Sequence, residues 1–230
     1  MTMIQTQLQT VRDRITAACL AAGRAPDAVA LLAVSKTFDA PAVAEAHAAG
    51  QTAFGENYIQ EAVQKITALR HLPLQWHCIG PIQSNKTRLV AEHFDWVHTV
   101  DRLKVAQRLS EQRPAGLPPL QVCLQVNVDG GDTKSGVPPE AALALARHVA
   151  ALPHLQLRGI MSIPEPAPDF VAACVLFARV KAVFDALNAA GLALDTLSMG
   201  MSADMEAAIH AGSTLVRVGT AIFGGRPRPV

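Results

Sequence analysis

Eight short apolar runs alternate with eight helical segments along the chain, and no other feature restricts its fold as much. The strand-like runs end at Lys36, Phe54, Ile79, Val100, Val128, Ile163, Met199 and Val218. Between them, apolar residues recur at three- and four-residue spacing, as in Ile4, Leu8, Val11, Ile15 and Cys19. Strict alternation of strand and helix implies parallel strands joined by right-handed crossovers. Eight such units in 230 residues predict an α/β fold, a single-domain (β/α)8 TIM barrel over residues 1–230. The series starts with a helix, about Gln5 to Ala22, and has none of comparable length after the eighth strand. This N-terminal helix is therefore expected to complete the outer ring. The competing architecture is an open doubly wound sheet, which is disfavoured because no Gly-rich dinucleotide fingerprint follows the first strand.

Composition narrows the function. A net charge of +1 and an aromatic content of 4% argue against a nucleic-acid partner, since neither a basic face nor a stacking platform is present. Cys19, Cys78, Cys123 and Cys174 have no CxxC or metal-ligand spacing, so they are expected to be free thiols in a reducing compartment. No apolar run reaches membrane-spanning length and Met1 to Thr10 lacks a signal-peptide core, so a cytoplasmic protein without membrane association is expected.

In such a barrel, chemistry gathers at the C-terminal strand ends. The first strand, Leu31 to Lys36, closes on a lysine. Either its amine sits at the rim of the core, partly desolvated and able to attack a carbonyl, or it marks the strand end and points into water. The seventh and eighth strands end in Ser198-Met199-Gly200-Met201-Ser202 and Gly219-Thr220. These are two ordinary turns or a phosphate cup built from backbone N–H groups and hydroxyls. Arg217 interrupts an apolar run, and a charge there must be paired: it bridges to a carboxylate or donates to a heterocyclic nitrogen. Amine, cup and ring-nitrogen donor together describe a pyridoxal 5′-phosphate site.

A set of ordered motifs carries a resemblance: Ala33 to Thr37, Phe54 to Tyr58, Trp76 to Lys86, His98 to Asp101, Lys134-Ser135-Gly136, Gly159 to Met161, Leu197 to Ser202 and Arg217 to Gly224. Over nearly its whole length the chain resembles the YggS/PROSC family, the pyridoxal phosphate homeostasis proteins. The resemblance implies a barrel of the alanine-racemase N-terminal-domain type. It also implies pyridoxal 5′-phosphate held as an aldimine on Lys36, with Asn57 beside it, Ser198, Met199, Gly200, Met201, Ser202, Gly219 and Thr220 around the phosphate, and Arg217 facing the pyridine nitrogen. Members of that family have no established catalytic activity and are regarded as keeping the free cofactor low while making it available to apo-enzymes. The alternatives are a weak racemase and a cofactor-free Schiff-base aldolase. A racemase of this type uses a second base from a C-terminal β domain, which is not expected here. A monomer is expected. Tyr58 is expected to pack or to flank the cofactor, Lys86 and Lys134 to be solvated, to attract phosphate or to form a transient second aldimine, Asp101 to cap the following helix, and His77 to be a satisfied core histidine. No metal site is expected.

Overall fold

A computed structural model describes residues 2–130 and 135–225; Lys134 lies outside them. In chain order the elements are α1 Met3–Ala21, β1 Ala30–Val34, α2 Ala40–Ala48, β2 Ala53–Glu56, α3 Ile59–Ala68, β3 Gln75–Cys78 and α4 Thr87–His93. There follow β4 Trp96–Val100, α5 Leu103–Gln112, β5 Leu120–Gln125, α6 Pro139–Ala150, β6 Leu155–Met161 and α7 Phe170–Ala189. The chain continues through β7 Thr196–Ser198, α8 Met205–His210, β8 Leu215–Val218 and α9 Thr220–Phe223. The eight strands are parallel and close into a barrel in sequence order, β8 pairing with β1.

Local chemistry accounts for the helix starts. Thr2 and Gln5 form a reciprocal capping box at α1. The Asp39 carboxylate accepts from Ala42 N–H at 3.1 Å to open α2, and Asp169 accepts from Ala172 N–H at 2.8 Å to open α7. As expected, α1 completes the outer ring, packing against α8, α9 and α2. It buries the stripe Ile4, Leu8, Val11, Ile15 and Cys19. Two arginines staple this end of the ring to its neighbours: Arg12 on α1 donates to Ala49 O at the end of α2 (2.8 Å), and Arg24, in the loop after α1, donates to Ile209 O in α8 (2.8 Å).

The main apolar core lies between barrel and helices. Alternation along the strands sends the other residues inward, where Leu32, Val34, Ile79 and Leu215 form one small cluster and Trp96, Cys123 and Met161 another. Strand β6 changes phase midway. Its register jumps from Val122↔Leu157 to Cys123↔Gly159, leaving Arg158 as an extra residue. Before the bulge Leu155 and Leu157 face the helices; after it Ile160 does, and Met161 turns inward. Gly159 permits this because any Cβ there would fall on the Thr196 carbonyl. All four cysteines are free thiols. Among the described residues, no helix is long and apolar enough to cross a membrane.

Candidate functional site

A cavity of about 300 Å³ opens at the C-terminal ends of the strands, its wall built by β1, β2, β7 and β8 and the turns that follow them. Lys36 lies two residues beyond β1 and is half-buried in this wall. Its neighbour Thr37 has φ 69°, the one non-glycine residue in left-handed backbone among those described. Such a turn needs external support, and it comes from a buried cation. Lys65 Nζ on α3 donates to Ser35 O (2.9 Å), Phe38 O (3.0 Å), Glu56 Oε1 (2.6 Å) and Glu61 Oε1 (2.7 Å). Glu61 also accepts from Thr37 N–H (2.8 Å), and Ser35 Oγ donates to Glu56 (2.6 Å). The strand period explains the meeting: Phe54 and Glu56 share the helix-facing side of β2, so the carboxylate is buried and requires a cation from the helix above it. Burial pushes the Glu56 carboxyl above its usual range, against the pull of Lys65 and Ser35.

Asn57 follows β2 and lines the cavity; its Oδ1 is buried and has no hydrogen-bond partner. Its backbone rests on Gly80, where a Cβ would collide with the Asn57 carbonyl. Thr99 Oγ1 ties Gly80 O from β4 at 2.7 Å. Thr37 Oγ1 is a second buried atom without a partner at this wall.

Arg217 reaches the cavity from β8. Its Nη1 donates to Ser198 Oγ (2.7 Å) and its Nη2 to Ser162 O (3.1 Å). Burial lowers its pKa to about 10, opposed by Asp204, so it stays charged at neutral pH. The following turn begins at Gly219, where a Cβ would sit 3.0 Å from Val34 O, and Thr220 brings a hydroxyl to the wall.

Of the residues singled out from sequence, Lys36, Asn57, Met201, Ser202, Arg217, Gly219 and Thr220 meet at this one cavity. The other three lie behind it. Ser198 is wholly buried and spends its hydroxyl on Arg217, and Met199 packs into the core. Gly200 accepts from Arg217 N–H at 3.0 Å and faces Ala208. The Met201 N–H is held by Asp204 Oδ1 at 2.6 Å, which leaves Ser202, Gly219 and Thr220 as the open rim. Arg14 on α1 braces that rim, donating to Ser202 O (3.2 Å) and pairing with Glu206 (2.7 Å).

The remaining candidates stand apart. Tyr58 is 51% exposed and off the cavity. Lys86 precedes α4, also away from it. Asp101 does not cap α5; its carboxylate pairs with Arg102 at 3.0 Å, and Arg102 occupies the cap position. His77 is buried and fully bonded. The Glu56–Lys65–Glu61 cluster escaped notice in the sequence, although Glu61 and Lys65 are spaced i,i+4 and Glu56 falls in phase with buried Phe54.

A family model described as "Alanine racemase, N-terminal domain" matches residues 7–227. A pyridoxal phosphate homeostasis protein of Pseudomonas aeruginosa is 62% identical over 98% of this chain and 97% of its own length. This chain belongs to the YggS/PROSC family. Another member, a pyridoxal phosphate homeostasis protein of Escherichia coli, is 54% identical over 95% of both chains. Among solved structures, PipY of Synechococcus elongatus with PLP bound superimposes with a TM-score of 0.84 at 38% identity, covering 96% of this chain and all of that one. An alanine racemase of Clostridium difficile shares the fold of the family, with a TM-score of 0.69 at 17% identity over 87% of this chain and 53% of its own.

Proposed function

We propose that the chain, working as one domain over residues 1–230, binds pyridoxal 5′-phosphate through Lys36 and takes part in intracellular vitamin B6 homeostasis as a carrier rather than an enzyme. One observation carries this reading: an amine, an arginine N–H donor and an open hydroxyl rim converge on a single cavity lined by Lys36, Arg217, Ser202 and Thr220. The donor set fits the cofactor. Asn57 Oδ1 and Thr37 Oγ1 are buried there without partners, and a side chain at Gly219 would crowd the turn. The bound group supplies an aldehyde for a lysine amine and a pyridine ring for delocalising charge.

The chain's own residues divide the remaining work. Lys36 Nζ is the point of attachment, held by the Lys65 clamp beneath its turn. Asn57 lies against the ring. Ser202, Gly219 and Thr220 receive the phosphate directly, while Ser198, Met199, Gly200 and Met201 shape the loop behind them. Arg217 donates to the ring nitrogen; being cationic well above neutral pH, it does not give that nitrogen a proton. The ring is then a weak electron sink. Lys36 and Arg217 are the ionisable residues among the described cavity lining, so a second acid–base group facing the attachment point is not among them. This supports reversible holding over proton transfer. The protein acts in the cytoplasm as a monomer and passes its cofactor to apo-enzymes.

The purified protein is expected to be yellow, with a visible band that is lost in Lys36→Ala. A colourless protein that gains no band on adding the cofactor would overturn the reading and favour an aldolase. Exchange of the α-proton of alanine in heavy water at enzyme-like rates would favour a racemase.

A further inference from the structure

Beneath Arg217 runs a chain of polar side chains that the cofactor reading does not use. Ser198 Oγ lies 2.9 Å from His98 Nδ1, His98 Nε2 lies 2.8 Å from His77 Nδ1, and His77 Nε2 lies 3.0 Å from Gln75 Oε1. With the Arg217–Ser198 bond of 2.7 Å, five side chains are linked in series. They come from β8, β7, β4 and β3. Strands β4 and β7 are not neighbours in the sheet, so the His98–Ser198 bond crosses the barrel interior. The inner members are buried, with Ser198, His98 and His77 each at most 1% exposed, whereas Gln75 is exposed at the opposite mouth.

The direction of every bond follows from the two ends taken together, Arg217 as a donor and Gln75 Oε1 as an acceptor. A guanidinium only donates, so Ser198 Oγ must accept from Arg217. The hydroxyl proton then has one acceptor in reach, His98 Nδ1. A neutral imidazole that accepts at Nδ1 donates at Nε2, which makes His77 Nδ1 an acceptor and His77 Nε2 a donor to Gln75 Oε1. The reverse polarity would aim two donors at Ser198 and set His77 Nε2 against the Gln75 oxygen with no proton between them. Burial keeps both rings neutral: the His77 pKa falls to about 3, and that of His98 falls well below its usual value, helped by His77 and the Arg217 charge. The His77 ring also stacks on Trp96 at 5.2 Å between centroids, which fixes its plane.

We propose that Ser198, His98 and His77 are positioning residues, a one-way hydrogen-bond relay running from Arg217 through the barrel to Gln75 that locks Arg217 as a donor toward the ring nitrogen of the bound cofactor. The relay saturates the inner edge of the guanidinium with acceptors and leaves its other N–H groups for the cavity. Bonds aligned head to tail polarise one another, so the hold on Arg217 depends on members that never touch the cofactor. This inference rests on Arg217 facing the ring nitrogen.

Two measurements test it. In the ligand-free wild-type protein at neutral pH, long-range ¹⁵N NMR is expected to show His77 and His98 as neutral Nε2–H tautomers. A charged ring, or a proton on either Nδ1, would overturn the relay, and this result does not depend on the cofactor binding at all. In protein loaded with ¹⁵N-labelled pyridoxal phosphate, Ser198→Ala and His98→Phe are expected to move the ring-nitrogen shift and the visible band and to speed cofactor loss about tenfold, with His98→Gln, which keeps one acceptor and one donor, restoring part of each. Ser198→Ala removes a single oxygen and serves where His98→Phe fails to fold. An unmoved ring-nitrogen shift in Ser198→Ala would sink the proposal; a wild-type protein that takes up no cofactor would defeat the carrier reading while the tautomer result still decides the relay.

Discussion

Lys65 does not itself line the cavity, and the consequence of removing it can be worked out in advance. In Lys65→Met, Glu56 keeps only Ser35 as a partner on Oε1, and its Oε2 already has none. The carbonyls of Ser35 and Phe38 also lose their donor. Breaking a buried pair from one side costs about 3–5 kcal/mol, and for a chain of this size the melting temperature should fall by roughly 6–20 °C. The loss should depend on pH. Burial already raises the Glu56 carboxyl above its usual range, and Lys65 is the strongest influence holding it down. Without Lys65 the folded chain retains the Glu56 proton to higher pH, while the unfolded chain still releases it near the usual carboxylate value. Where the folded state binds more protons, stability falls as pH rises. The deficit of the variant is therefore larger at pH 7 than at pH 5. Urea unfolding of the wild type, Lys65→Met and the Glu56→Gln/Lys65→Met double variant at both pH values reads this directly, and the double variant should recover most of the deficit at pH 7. A deficit below about 1 kcal/mol, or one equal at the two pH values, would refute the argument.

Gly80→Ala should lower stability by about 1–3 kcal/mol through overpacking, and should weaken cofactor retention more than a remote substitution of equal thermodynamic effect, because the new methyl displaces the Asn57 backbone; thermal melts and dialysis of loaded protein give the two numbers. His77 has a folded pKa of about 3 against 6.5 in the open chain, so its contribution is present above pH 6.5 and is lost as pH falls toward 3. That contribution is roughly 4–5 kcal/mol, and a His77→Gln variant should show a flatter acid-unfolding profile. Burial pushes the thiols of Cys78 and Cys123 up to about 12, so a thiol reagent at pH 7.5 should label neither until denaturant is added; rapid labelling of either in the native protein would contradict the packing.

The barrel was legible because its evidence is periodic and repeated. Each strand is a short apolar run closed by a small or polar residue, and eight repetitions outweigh errors of two or three residues at the ends. Strand β6 is the exception: the expected run ended at Ile163, but the strand stops at Met161. The bulge at Arg158 breaks the two-residue alternation, and no local residue pattern announces it except a glycine whose neighbour lies on another strand. The cavity was legible for a different reason, since Lys36, Arg217 and the two turns are chemically unusual at strand ends. The assignment of Ser198 to the rim was a matter of phase. One residue of difference decides whether a side chain faces the mouth or the interior, and only the register with β8 sets it. Lys65 and His98 look like ordinary helix and strand residues, and their roles exist only through partners 4 to 100 positions away.

The seating of α1 between the first and last units also sets a timetable. Its apolar stripe is synthesised well before the helix α8 that covers it, which begins at Met205. At about 5–20 residues per second, that stripe waits roughly 10–40 s on the ribosome for its partner. During the wait Ile4, Leu8, Val11 and Ile15 are an uncovered apolar surface on an unfinished chain. Trigger-type chaperones that shield nascent apolar helices should raise the yield of this protein far more than its final stability would suggest.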